Sequence, residues 1–151
     1  IKGVSFEPGN IMRLTTQLAR HKTDRQKQAV LFHGGRHAVT RARLVETFGN
    51  PAGIALIECW LETGRTHQIR VHMAHAGHGL VGDPVYGGKR KLAAKAFSAT
   101  TSEAVRNFPR QALHAAVLGF EHPVTGENLR FEAELPNDME ILIEQLRAPL
   151  T

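Results

Sequence analysis

The sequence changes its period at Thr63-Gly64, and that break limits what the chain can fold into. Before it, "GIALIECWLET" sets Ile57, Cys59 and Leu61 against Glu58, Trp60 and Glu62, the alternation of a strand with one face on a core. Further upstream, "HGGRHAVTRARLVETFG" places a Gly34-Gly35 turn ahead of Ala38, Thr40, Ala42 and Leu44, which alternate with Val39, Arg41, Arg43 and Val45 as in a strand or hairpin arm. After the break, Ile69, Met73 and Ala76 recur at helical spacing. With Thr66 as N-cap and Gly77 as stop, a short helix is expected at about 67 to 76.

The remaining segments extend that pattern. Residues 15 to 31 read as extended segments around a basic connection carrying His21, Lys22, Arg25 and Lys27. "GHGLVGDPVYGG" is a tight loop by its glycines and proline, and residues 89 to 110 are expected to form a mobile loop with one helical turn. "QALHAAVLGFEHPVTGENLRFEAEL" predicts two strands joined at "HPVTGE", with His114, Ala116, Leu118 and Phe120 alternating in the first and Leu129, Phe131 and Ala133 in the second. Asn137 or Asp138 then caps a helix whose Met139, Leu142, Ile143 and Leu146 share one face. Strands joined mainly by hairpins, with two helices, predict an α+β fold with a few short helices on a largely antiparallel mixed sheet.

Composition sets the chemical class. At 151 residues the chain has the length of one domain and can bury a core of its own. It holds no apolar run of the ~20 residues a membrane span requires. Cys59, the single cysteine, excludes an internal disulfide and a cysteine-rich zinc site, and fits a reducing compartment such as the cytoplasm. A net charge of +5, with clustered arginine and lysine, points to a polyanionic partner.

The stretch "LETGRTHQIRVHMAHAGHGLVGDPVYGG", residues 61 to 88, is where chemistry concentrates. His67, His72, His75 and His78 suggest a metal site, but a helical zinc site pairs histidines four apart with an acidic residue between them, whereas His72 and His75 stand three apart. An anion site fits the residues better. Gly64, Arg65 and Thr66 lead into a helix N-terminus, and Arg70 lies one turn inside it, on nearly the same face as His67. A guanidinium there takes a phosphate or carboxylate through two parallel hydrogen bonds. Spacing alone leaves an external anion and an internal ion pair with one of the domain's own acids equally open.

The same stretch closely resembles the G-R-T-H-Q-I-R-V-H signature and the following G-D-x-x-Y-G loop of the RluA-type pseudouridine synthases. The resemblance runs through "RHKTDRQKQAV" and "GGRHAVTRARLVETFG" upstream and "RQALHAAVLGFEHPVTGENLRFEAELP" downstream, from about residue 15 to residue 142. It implies isomerisation of uridine in ribosomal large-subunit or transfer RNA, with an aspartate as nucleophile and neither metal nor cofactor. The target base would leave its stack to reach such a site. By position, Arg70 matches the family arginine that pairs with the catalytic aspartate, and a neighbouring positive charge keeps a carboxylate ionised. Arg65, Thr66, His67 and Gln68 are implied to shape the substrate pocket. Gly82, Asp83 and Tyr86 match the loop, where turn-making and packing are the expected roles.

The chain departs from the family pattern in the residues that matter most. The nucleophile motif H-R-L-D with its T-S-G continuation does not occur, and neither does the K-x-Y-x-A tyrosine motif. Asp24 in "HKTDR" resembles the missing motif but lacks that continuation. Gly79 stands where the family often has proline, and is expected to loosen the loop. With Ile1 as first residue, the chain is expected to be the C-terminal portion of a catalytic domain, inactive alone, with Arg70 awaiting an aspartate from the absent N-terminal portion and with exposed sheet edges prone to self-association. The rival expectations are a non-catalytic RNA-binding domain on the same scaffold, a histidine-based metal hydrolase, and an interaction scaffold.

Overall fold

The computed structural model describes residues 1–3, 9–88 and 91–150. Strands β1 (Ile11–Arg20), β2 (Gln28–Leu31), β3 (Arg36–Phe48) and β4 (Ile54–Leu61) form one sheet in the order β2-β1-β3-β4. Helix α1 (Gln68–His75) follows, then α2 (Ala99–Arg106), the hairpin β5 (Val117–Glu121) and β6 (Asn128–Glu132), and α3 (Asn137–Arg147). The class is α+β as expected, and the pairings among the named strands are all antiparallel rather than mixed. Among the described residues no helix is long and apolar enough to cross a membrane.

Helix α1 lies on the sheet face formed by alternate residues of β1 and β3. Val71 packs with Leu18 and Ala38, while Met73 joins Ala42, Leu44, Ala55 and Leu80. Ala38 and Ala42 are fully buried, and their small side chains let the helix approach the strand closely. The inward face of α1 is unexpectedly polar: Gln68, Arg70 and His72 are buried with Val71 and Met73, whereas Ile69 is only half-buried. Thr66 does not cap this helix. The cap position belongs to His67, whose left-handed backbone (φ 53°) turns the chain into the first helical residue. Gly77, with φ of 85°, ends the helix where the sequence places the stop.

A second core sits at the far end of the sheet, where Phe48 and Ile54 meet Val105 of α2 and Met139, Leu142, Ile143 and Leu146 of α3. The four α3 residues are those the sequence puts on one face, and Pro136 rather than Asn137 or Asp138 occupies the cap. Residues 89 and 90 of the basic segment lie outside the described residues. Beyond them, a two-turn helix stands where one turn of loop is expected. Its start is fixed by Ser98, whose hydroxyl accepts from the Thr101 amide at 3.1 Å. The hairpin β5–β6 matches the strand expectation in place but begins at Val117, leaving His114 and Ala116 outside it.

The buried imidazole of His72 bridges the sheet, with Nε2 2.7 Å from Thr16 Oγ1 and Nδ1 2.7 Å from Thr40 Oγ1. Burial, reinforced by nearby His75, holds its pKa below the ordinary histidine value. The folded state therefore binds fewer protons than the unfolded chain, so this contribution to stability is present above the unfolded value of about 6.5 and lost as pH falls. Urea midpoints measured at pH 7.5 and 5.5 are expected to differ in that direction, and His72→Gln to shrink the difference.

Candidate functional site

The segment Thr63–Gln68 is pinned to β3 by one amide side chain. Gln68 Nε2 donates to Val39 O at 2.9 Å and to Thr40 Oγ1 at 3.0 Å. Its Oε1 accepts from the Arg65 amide at 2.9 Å and from the Thr63 hydroxyl at 2.8 Å. Thr63 Oγ1 in turn accepts from the Val39 amide. Gln68 is thus a structural clasp with its amide fully engaged, and it fixes the backbone from which Arg65 and Thr66 project.

The two arginines of the motif have different fates. Arg70 is buried and forms a two-pronged ion pair with Asp83, Nε to Oδ2 at 2.7 Å and Nη2 to Oδ1 at 2.9 Å. The Asp83 side chain is sealed from solvent. Burial raises the Asp83 carboxyl, but the Arg70 guanidinium together with the Tyr86 and Val85 amides outweighs it, and the group rests below the usual carboxylate range. Arg70 was expected to await an aspartate from outside the chain; in the structure its carboxylate partner is Asp83, the internal ion pair that spacing left open. The guanidinium also lies 5.0 Å from the centre of the Tyr86 ring.

Tyr86 connects this pair to the sheet. Its hydroxyl accepts from the Gln28 amide at 2.7 Å and lies 2.9 Å from His67 Nδ1. His67 is therefore occupied, and burial followed by the charge of Arg70 depresses its pKa. The loop beyond α1 is held by close backbone contact. A side chain at Gly79 would come within 2.5 Å of Gly87 O, and one at Gly82 would strike the carbonyls of Phe108 and Arg110. Gly79 thus tightens the loop, contrary to the expectation that it loosens it.

Arg65 faces a different environment. Its Nε donates to His37 O at 3.0 Å, and it shares with Thr66 the wall of an open cavity of about 390 Å³. Arg20, Arg36, Gly34 and Gly64 also line that cavity, and no carboxylate does. Sequence reasoning missed Arg20 and Arg36. The signal for them was a pair of arginines at facing strand ends beside Gly34-Gly35, since Leu18 pairs with Arg36 and Arg20 lies two residues beyond Leu18.

The other candidates are drawn apart. His78 Nδ1 lies 3.1 Å from Lys2 O, His75 is exposed, and His67 and His72 have the partners described above. Among the described residues no three His, Cys, Asp or Glu side chains are grouped to hold a metal. Burial pushes the Cys59 thiol up to about 11, so it carries no thiolate at neutral pH. Asp24 shapes the β1–β2 turn: its Oδ1 accepts from the Gln26 amide at 3.1 Å and its Oδ2 meets Lys27 Nζ at 3.3 Å. It is not among the cavity residues.

Removing one member of a buried pair leaves the other charge stranded, so Asp83→Asn is expected to destabilise the fold by about 3 to 5 kcal/mol. Glu62→Gln, which breaks the exposed pair with Arg13, is expected to shift stability by about 1 kcal/mol at most. Urea unfolding of the two variants beside the parent chain checks the contrast.

Comparison with known proteins identifies the family. A family model described as RNA pseudouridylate synthase matches residues 6–75. A ribosomal large subunit pseudouridine synthase D of Zymomonas mobilis is 48% identical over 130 residues, covering 85% of this chain and 38% of the relative. The protein of the same name from Xanthomonas campestris is 52% identical over 128 residues, covering 85% of this chain and 37% of the relative. An uncharacterized RNA pseudouridine synthase of Bacillus subtilis, YlyB, is 45% identical over 144 residues, covering 95% of this chain and 41% of the relative. The chain thus spans about two fifths of the length of these relatives. The solved structure of human RNA pseudouridylate synthase domain containing 1 shares the fold, with a TM-score of 0.62 at 20% identity over 92% of this chain and 60% of that one. With relatives near half identity over more than four fifths of its length, the chain belongs to the RNA pseudouridine synthase family.

Proposed function

We propose that the chain is the C-terminal portion of a pseudouridine synthase catalytic domain, completing an active site whose nucleophilic aspartate stands on the N-terminal portion. The reaction isomerises uridine in RNA. The bond from C1′ to N1 breaks, the uracil turns, and a bond from C1′ to C5 forms; N1 gains a proton and C5 loses one. Nothing is oxidised or added, so the balance calls for no metal or cofactor. Two of the relatives are named for ribosomal large-subunit RNA, which favours that substrate over transfer RNA.

The observation that carries this reading is Arg65. It stands at the cavity wall in the signature turn, with no carboxylate partner among the described residues, while Arg70 is paired with Asp83 through Nε and Nη2. The role expected of Arg70, holding the nucleophile ionised and oriented, therefore passes to Arg65. Thr66 is exposed at the same wall, and His67 and Gln68 support it from behind. A second observation concerns the missing portion. The hairpin face carrying Leu118, Phe120 and Phe131 is solvent-exposed, and an apolar face of that size suits cover by the rest of the domain, for which the relatives have the length.

The chain alone is expected to form no pseudouridine on large-subunit RNA, and any robust product dependent on Asp24 overturns the proposal. A chimera in which this chain replaces the corresponding segment of the Xanthomonas relative is expected to be active. In it, Arg65→Ala should lower kcat at least a hundredfold without moving the melting temperature, an effect of the size expected for a lost transition-state contact. Arg70→Ala should instead lower the melting temperature.

A further inference from the structure

Resting on that reading, we infer that Arg20 and Arg36 form a clamp for a backbone phosphate of the RNA, separate from the arginine that meets the nucleophile. Arg20 ends β1 and Arg36 begins β3, and both extend from the sheet face that buries Leu18 against α1. The register sets Arg36 directly across from Leu18, with Arg20 two residues further along β1, so the two side chains leave the same face at one end of the sheet, and both line the cavity. Both are exposed, and neither has an ion pair among the described residues, unlike Arg13 and Arg43 of the same sheet; Arg41 also has none but is not among the cavity residues.

The surroundings favour an anion. Three arginines line the cavity without a carboxylate, so their mutual repulsion is relieved by a negative ligand. Guanidinium forks match phosphate oxygens in pairs, and a surface cavity leaves them accessible to a polymer backbone. Gly34 and Gly64 lie in the same wall, and a side chain added at either would meet nothing within 4 Å, so the wall is open on that side for a ribose-phosphate chain to approach. With Arg65 directed to the nucleophile, a phosphate on Arg20 and Arg36 would anchor the strand beside the flipped uridine. The contact is to phosphate and carries no base information, so it sets position rather than sequence.

Fluorescence anisotropy of a labelled RNA stem-loop with the purified chain tests the clamp across a salt series. The parent chain is expected to bind with a steep salt dependence. Arg20→Ala and Arg36→Ala should each reduce the magnitude of the slope of log K against log salt by about 0.7 to 0.9, so that the affinity lost between 50 and 200 mM salt is about threefold smaller than for the parent chain. Arg36→Lys should keep the slope, because it keeps the charge, and Arg106→Ala on α2, away from the cavity, should leave it unchanged. Melting curves confirm that each variant is folded. If the two alanine variants bind with the parent slope, the clamp is overturned while the family reading stands. If the parent chain binds no RNA, the clamp fails as well, and activity of the chimera decides separately whether the catalytic reading survives.

Discussion

The ion pair between Arg70 and Asp83 joins parts of the chain that would otherwise have little reason to hold one geometry. Its carboxylate accepts from the helix arginine and from two amides of its own loop, so one side chain both anchors the loop and neutralises the buried charge of α1. Tyr86 follows from that loop, lies under the guanidinium, and reaches the amide of Gln28 on β2. The outer strand of the sheet is thereby tied to the helix through an aromatic ring rather than through strand pairing alone. The cavity wall carries Gln28 itself, so the loop and the cavity are parts of one connected network.

A buried charge held by an internal partner serves the fold first, whereas a half-exposed one without a carboxylate partner is open to a ligand. The signature turn presents both kinds within six residues. Gln68 separates them: by occupying Val39, Thr40, Thr63 and the Arg65 amide, it commits the backbone so that Arg65 points outward while Arg70 points inward. Preorganisation of this sort matters in a site that stabilises charge, because donors already fixed in place need not reorganise as the reaction proceeds.

Much of the fold was legible in the sequence. The alternation in β3 and β4 and the apolar face of α3 are patterns set by burial of repeated side chains, and they survive in the structure. Helix α1 was legible in extent but not in orientation, because its inward face is built from Gln68, Arg70 and His72, whose burial depends on partners far away in the chain. Periodicity weighs hydrophobicity and is blind to such hydrogen-bonded polar cores. Helix α2 was missed because its residues are small and polar; its signal was the Ser98 cap with Thr101 and Val105 buried one turn apart. The motif singled out the turn but could not say which of its arginines would pair within the chain, since that turned on where Asp83 lands. Arg20 and Arg36 stand in segments that share the family resemblance but lie outside the signature turn, and only strand register brings them to one end of the sheet.

The close contact between Gly79 and Gly87 bears on how such a chain can drift over time. At these positions the cost of change is set by the carbonyl facing the absent side chain, not by the chemistry of the residue that arrives, so even alanine is a radical replacement. The exposed basic residues of the β1–β2 connection, by contrast, can exchange with little structural consequence. Variation among descendants of this sequence should therefore be sparse along the floor of the loop and plentiful around its rim, a contour drawn by backbone proximity and unrelated to distance from the cavity.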